Sequence, residues 1–145
     1  MKDEDGSFRL FLGDVCVFSY QSGINAASFV SNDRENTLLG IFFENFVTAE
    51  LIAKGNPLFY WRGKASCELE FIIESDNKLY PIDVKKGRGV LNSLEKFSHH
   101  NPYACAVKIS SGNYGYDESK RLLTVPLYFA FFLAEDMAQG TFSYQ

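Results

Sequence analysis

Between Cys67 and Lys85 two strand-length runs are separated only by the turn-forming Ser75-Asp76-Asn77-Lys78, a spacing that predicts consecutive strands of a meander. In the first run, Cys67 to Glu74, the residues Glu68 and Glu70 alternate with Leu69, Phe71 and Ile73. That alternation predicts carboxylates on one face of a strand and apolar side chains on the other. The second run, Leu79 to Lys85, carries Asp83 and Lys85 two residues apart between Ile82 and Val84, so a carboxylate and an ammonium share one face. Pro81 implies that this strand begins near it or tolerates a missing donor.

The neighbouring segments extend the pattern. Leu38, Leu39, Ile41, Phe42, Phe46, Val47 and Leu51 recur at helical spacing until Gly55, Asn56 and Pro57 stop the run. Leu58 to Arg62 reads as a short strand and Gly63-Lys64 as a turn. Val90, Leu91, Leu94 and Phe97 predict a second helix ending at His99-His100, and Ala104 to Ile109 predicts a fourth strand. Phe8 to Phe18 reads as extended with a turn, followed by a loop through Asn36. Ser110 to Ser119 reads as a polar loop, Leu122 to Val125 as one more strand, and Leu127 to Met137 as a C-terminal helix. The centre of the chain is therefore expected to run helix, three strands, helix, strand.

With 145 residues, 46% of them hydrophobic, the chain can close a single domain, residues 1–145, around one core. The formal charge of -4 supplies no overall attraction for a polyanion, so affinity for nucleic acid must come from a local patch. The one dense basic run, Lys85-Lys86-Gly87-Arg88, directly follows Asp83. Cys16, Cys67 and Cys105 are widely spaced and odd in number, which predicts reduced core thiols in a cytoplasmic protein. Met1 to Ser7 lacks the apolar core of a secretory signal, and the longest apolar run, Val125 to Ala134, is too short to cross a bilayer. No membrane association is expected.

Glu44 lies on a helix face with Val47, Thr48 and Leu51, where a carboxylate needs a partner. It is either a site acid or an ion-paired residue at the edge of the apolar stripe. Glu68, Glu70 and Glu74 can equally mark the wet face of a half-buried strand, and Asp83 with Lys85 can be a salt bridge. Taken jointly, Glu44, Glu70, Asp83 and Lys85 form a set that could hold Mg²⁺ against a phosphodiester and orient water. His99 and His100, adjacent and at a helix end, fall outside that set.

The order of these elements resembles the PD-(D/E)xK nuclease-like superfamily, whose core runs helix, three strands, helix, strand. Leu39 to Val47, Glu50-Leu51, Phe59-Tyr60-Trp61-Arg62, Glu68 to Glu74 and Pro81-Ile82-Asp83-Val84-Lys85 are similar to an uncharacterised C-terminal domain of prokaryotic AAA-type ATPases. Phe8 to Val15, Ser93-Leu94 and Pro126-Leu127-Tyr128 extend that likeness. The resemblance implies an α/β, restriction-endonuclease-like core with a central mixed sheet flanked by helices. It implies Glu44, Glu70, Asp83 and Lys85 as catalytic residues, and Glu70, Asp83 and the carbonyl of Val84 as ligands for Mg²⁺ or Mn²⁺. Glu70 stands where the ATPase-linked family usually has Asp.

No Gly-x-x-x-x-Gly-Lys-Ser/Thr loop occurs, so the chain carries no ATP-binding module of its own. It is expected to be a fragment of a longer ATPase chain or a free-standing remnant, with an ATPase as partner in cis or in trans and DNA as a further partner. The functional expectation is a nuclease-fold accessory domain with a divalent-metal-dependent phosphodiesterase site. The alternative is a non-catalytic domain that recognises a partner or DNA on a degenerate nuclease scaffold.

Overall fold

Asp76 and Asn77 adopt φ of 50° and 57°, the left-handed pair that lets two residues reverse a hairpin without splaying its strands. They join β2 (Glu68–Ser75) to β3 (Lys78–Lys85) in antiparallel register from Ser75↔Lys78 to Phe71↔Ile82. The computed structural model describes residues 9–30, 37–63, 67–85 and 92–144. Lys64, Ser66, Lys86 to Arg88, Val90 and Leu91, which carried part of a turn, the basic run and the predicted start of the second helix, lie outside them.

Around the hairpin are α3 (Thr37–Ala53), β1 (Phe59–Arg62), α4 (Asn92–Ser98) and β4 (Ala106–Ser110), in the predicted order. They are followed by β5 (Gly115–Asp117), β6 (Leu122–Pro126), a single 3₁₀ turn Leu127–Phe129 and α5 (Ala130–Gln139). The sheet has six strands in the order β1-β2-β3-β4-β6-β5. β3, β4 and β6 are parallel, while β1, β2 and β5 run against their neighbours. This is a mixed α/β sheet flanked by helices. Among the described residues no helix is long and apolar enough to cross a membrane.

Both faces of the sheet are covered. Val47 and Leu51 of α3 and Leu133, Ala134 and Met137 of α5 pack on Phe71, Ile73, Tyr80, Ile82, Val84, Val107, Ile109, Leu123 and Val125. Leu94 and Phe97 of α4 cover Leu69, Ile72 and Ala106, with Trp61 edge-on to Phe97 at 5.5 Å between centroids. The expected wet face of β2 is therefore absent: only Glu74 of its eight residues is exposed. Pro81 fits because odd-numbered residues of β3 turn their backbone toward β4, as the Ala104 N–H to Leu79 carbonyl bond of 3.0 Å shows, and that ladder starts only at Ile82↔Val107.

The N-terminal reading is corrected. Where an extended segment and a loop were expected, the chain forms α1 (Val15–Ser22) and α2 (Ala26–Val30). Asp14 caps α1 by accepting from the backbone N–H of Cys16 and Val17, and Gly23 closes it in the left-handed conformation. No residue of α1 is buried, so no apolar stripe announces the helix and only its caps do. Cys16 accordingly is exposed rather than a core thiol, whereas Cys67 and Cys105 are buried, and none of the three forms a disulfide. The polar loop 110–119 likewise hides β5, whose polar composition suits a short edge strand.

Asn45, buried in α3, holds the N-terminal segment in place. Its side-chain amide donates to the Leu12 carbonyl at 2.9 Å, and its Oδ1 accepts from the Leu12 N–H at 2.8 Å. Replacing Asn45 by Ala removes both bonds and strands two backbone groups, so Asn45→Ala is expected to lower stability by about 2 kcal/mol in urea titration. Unchanged stability would show that the clamp contributes nothing net.

Candidate functional site

The parallel strands β3, β4 and β6 end at Lys85, Ser110 and Pro126, and the antiparallel β2 begins at that same edge with Glu68. In open α/β sheets ligands gather at the carboxyl ends of the strands. Here that edge collects the charged residues singled out from the sequence.

Glu70 sits in a β-bulge. Phe59 pairs with Ile72 but Trp61 pairs with Leu69, so Glu70 and Phe71 together oppose the single residue Tyr60. A bulge breaks the strict in-out alternation and re-aims a side chain. On the other side, the β2–β3 register ends at Phe71↔Ile82, which makes Glu70 and Asp83 the next facing pair. Ile82 and Val84 turn into the α3–α5 core, leaving Asp83 and Lys85 on the α4 face.

Three groups come together there. The Lys85 ammonium lies 2.6 Å from Asp83 Oδ1 and 3.4 Å from Glu70 Oε1. Asp83 is 1% exposed and Glu70 7%, so two carboxylates share a largely dry space. Asp83 Oδ1 takes the Lys85 ammonium at 2.6 Å, while Glu70 Oε2 and Asp83 Oδ2 are buried with no hydrogen bond to a fixed donor among the described residues. Burial, then the hydrogen bond and charge of Asp83, push the Glu70 carboxyl up to about 7 against the pull of Lys85. Burial opposes the charge of Lys85, but Glu70 and Asp83 outweigh it and raise the ammonium above its ordinary value.

Glu44 reaches this edge from α3 and is coupled to the cluster by charge. Burial and the negative charge of Glu70 raise its carboxyl, while Arg9 and Lys85 draw it back. Its ion pair is with Arg9, whose Nη1 is 3.3 Å from Glu44 Oε2 and whose Nη2 contacts Glu68. Arg62 Nε adds a second cation 3.4 Å from Glu68 Oε1, and the Arg9 guanidinium lies 5.0 Å from the centre of the Tyr60 ring. Burial works against the Glu68 charge, but the Tyr60 hydroxyl and Arg9 hold its carboxyl below the ordinary range.

Arg9 joins the site only through the fold. No spacing in the sequence links it to residues thirty-five and fifty-nine positions away. The one usable signal is Asn45, an amide beside Glu44 within the mostly apolar run from Leu38 to Val47. Val84 buries its side chain, so only its carbonyl is a candidate ligand. His99 and His100 are exposed just past the end of α4. Among the described residues no group of three or more His, Cys, Asp or Glu is arranged to hold a metal ion. The candidate donor set is thus a pair of carboxylates, Glu70 and Asp83, and a pair with unpartnered buried oxygens suits a cation that keeps most of its own water.

Fold and site together define an α/β domain with a buried two-carboxylate, one-lysine cluster at the carboxyl edge of a mixed sheet. The family model described as a domain of unknown function, DUF4143, matches residues 39–128, and the chain belongs to that family. The matched region contains Glu44, Glu70, Asp83 and Lys85 and leaves Arg9, α1 and α5 outside. No curated protein and no solved structure matches the chain.

Proposed function

We propose that this chain is a nuclease-fold accessory domain of an AAA-type ATPase system, with a divalent-metal-dependent phosphodiesterase site at Glu70, Asp83 and Lys85. The observation that carries this reading is a pair of buried carboxylates, Glu70 and Asp83, beside one ammonium, with Glu70 Oε2 and Asp83 Oδ2 left without a fixed donor among the described residues. Burying such oxygens without compensation is costly, and proteins retain such arrangements mainly at sites that bind something. The order α3-β1-β2-β3-α4-β4, with β3 parallel to β4, supports a restriction-endonuclease-like core.

Glu70 and Asp83 would hold Mg²⁺ or Mn²⁺, with the Val84 carbonyl as a further candidate oxygen. The bound ion would supply positive charge to a phosphodiester and acidify a water. Lys85, kept charged by its neighbours, orients the nucleophile and stabilises charge developing on the phosphate. Glu44 acts from outside the pair through its charge, with Arg9 holding it in place.

Calorimetric titration with Mn²⁺ is expected to show binding to wild type and a loss of at least about tenfold in affinity for Asp83→Asn, since one of two protein carboxylates is gone. Mn²⁺-dependent cleavage of DNA or RNA is expected to vanish in Lys85→Ala at a temperature where circular dichroism shows it folded. Equal background cleavage by both proteins, with no Mn²⁺ uptake, rejects the reading.

One arrangement favours the alternative, a non-catalytic domain that recognises a partner or DNA. Arg9 already neutralises Glu44 and Glu68, as Lys85 does Asp83, which makes the edge a self-contained ionic network. Under that reading wild type takes up no metal.

A further inference from the structure

The sheet face that carries Asp83 and Lys85 does not stop at β3. In parallel register Asp83 sits beside Lys108 and Lys85 beside Ser110. Across the next ladder Lys108 sits beside Thr124, and Gly115 of β5 lies opposite Thr124. Neighbouring residues in register point to the same face, so the charged cluster continues into a row of small and polar side chains. That row is open. Lys108, Ser110, Asn113, Gly115, Asp117 and Thr124 line a cavity of about 530 Å³ beside the turn 111–113. The turn is pulled down onto the groove, with the Gly112 N–H donating to Ser110 Oγ at 3.1 Å; a Cβ at Gly112 would lie 3.1 Å from that oxygen.

We propose that this groove is the flanking-nucleotide subsite of the Glu70–Asp83–Lys85 site, taking one nucleotide of a single-stranded nucleic acid with Lys108 against its phosphate. The inference rests on the phosphodiesterase reading and adds the class of substrate to it. Its volume lies within the roughly 300 to 1,000 Å³ of small-ligand sites. One ammonium and one carboxylate, Lys108 and Asp117, leave it nearly neutral, and hydroxyls and an amide supply both donors and acceptors. Such a lining suits the hydrogen-bonding edge of a base better than a run of phosphates. Those edges are paired in a duplex and available in a single strand.

The test measures anisotropy of a short fluorescein-labelled single-stranded oligonucleotide, as DNA and as RNA, with Ca²⁺ in place of Mn²⁺. Gly115→Phe places a ring in the groove from a position where an added Cβ meets nothing within 4 Å. It is expected to weaken binding about tenfold or more, while Mn²⁺ uptake by calorimetry stays at the wild-type level. Lys108→Ala is expected to lower the salt slope of binding by about one, whatever the base sequence. Preference between the DNA and RNA arms identifies which sugar the groove accepts. Wild-type affinity in both variants, or no oligonucleotide binding by wild type, overturns the subsite. Groove-dependent binding without any Mn²⁺ uptake upholds the groove and removes the phosphodiesterase reading instead.

Discussion

Glu70→Gln is expected to flatten the dependence of stability on pH between about 4.5 and 7. The folded protein holds the Glu70 carboxyl at about 7, above its ordinary 4.5, because it is buried against Asp83. A carboxyl raised in this way binds its proton more tightly folded than unfolded. Its contribution to stability is therefore complete below about pH 4.5 and is lost as the pH rises through about 7. The interval between those values corresponds to roughly 3 kcal/mol, carried by the Glu70–Asp83 pair as a unit. Glu44, raised by burial and by Glu70, moves in the same direction. Urea denaturation of wild type at pH 5 and pH 8 should show that loss, and Glu70→Gln should show most of it gone. A wild-type protein equally stable at both values would mean that water or a cation already compensates the pair.

Lys85→Met should have the opposite sign and comparable size. The substitution keeps a long apolar stem but removes the ammonium that lies 2.6 Å from Asp83 and 3.4 Å from Glu70. Two buried carboxylates then face each other without the ammonium that bridges them. Breaking a buried pair from one side costs about 3 to 5 kcal/mol, and the lower end applies because the Lys85 side chain is 31% exposed. A loss of about 3 kcal/mol at pH 8 should appear as a melting temperature lower by on the order of 10 °C. At pH 5 the loss should be much smaller, since the carboxylate pair accepts a proton instead. Adding Asp83→Asn to Lys85→Met should recover most of the stability at pH 8, because a single carboxylate remains. Should Lys85→Met melt with wild type at pH 8, the cluster is solvated in a way its burial does not indicate. The two substitutions also separate charge from metal binding: the first acts on the proton, the second on the counter-ion, and neither requires a ligand to be known.

The helix of α3, the β2–β3 hairpin and the order of the central elements were legible along the chain, because each is governed by local rules. Apolar residues at helical spacing from Leu38 to Leu51 define α3, and Gly55 and Pro57 end its run. The Asp76-Asn77 turn sets the hairpin register, and the two-residue alternation of β3 places Asp83 and Lys85 on one face. The types of residue in the candidate site were readable for the same reason: Asp-x-Lys in a strand projects two charges together. Local rules failed where they were weak. The helix α1 has no fully buried residue, and β5 is a polar three-residue edge strand, so neither carries a periodic signal.

Sequence alone thus determined the central elements from α3 to β4, their order and the pairing of Asp83 with Lys85, since short-range sterics and periodic burial act over a few residues. The tertiary structure decided the rest. The bulge that re-aims Glu70, the burial of both faces of β2, the arrival of Arg9 at Glu44 and Glu68, and the groove beside Lys108 all depend on strands and segments far apart along the chain. Their energies come from desolvation and from charges facing across space, quantities that exist only after the sheet has closed.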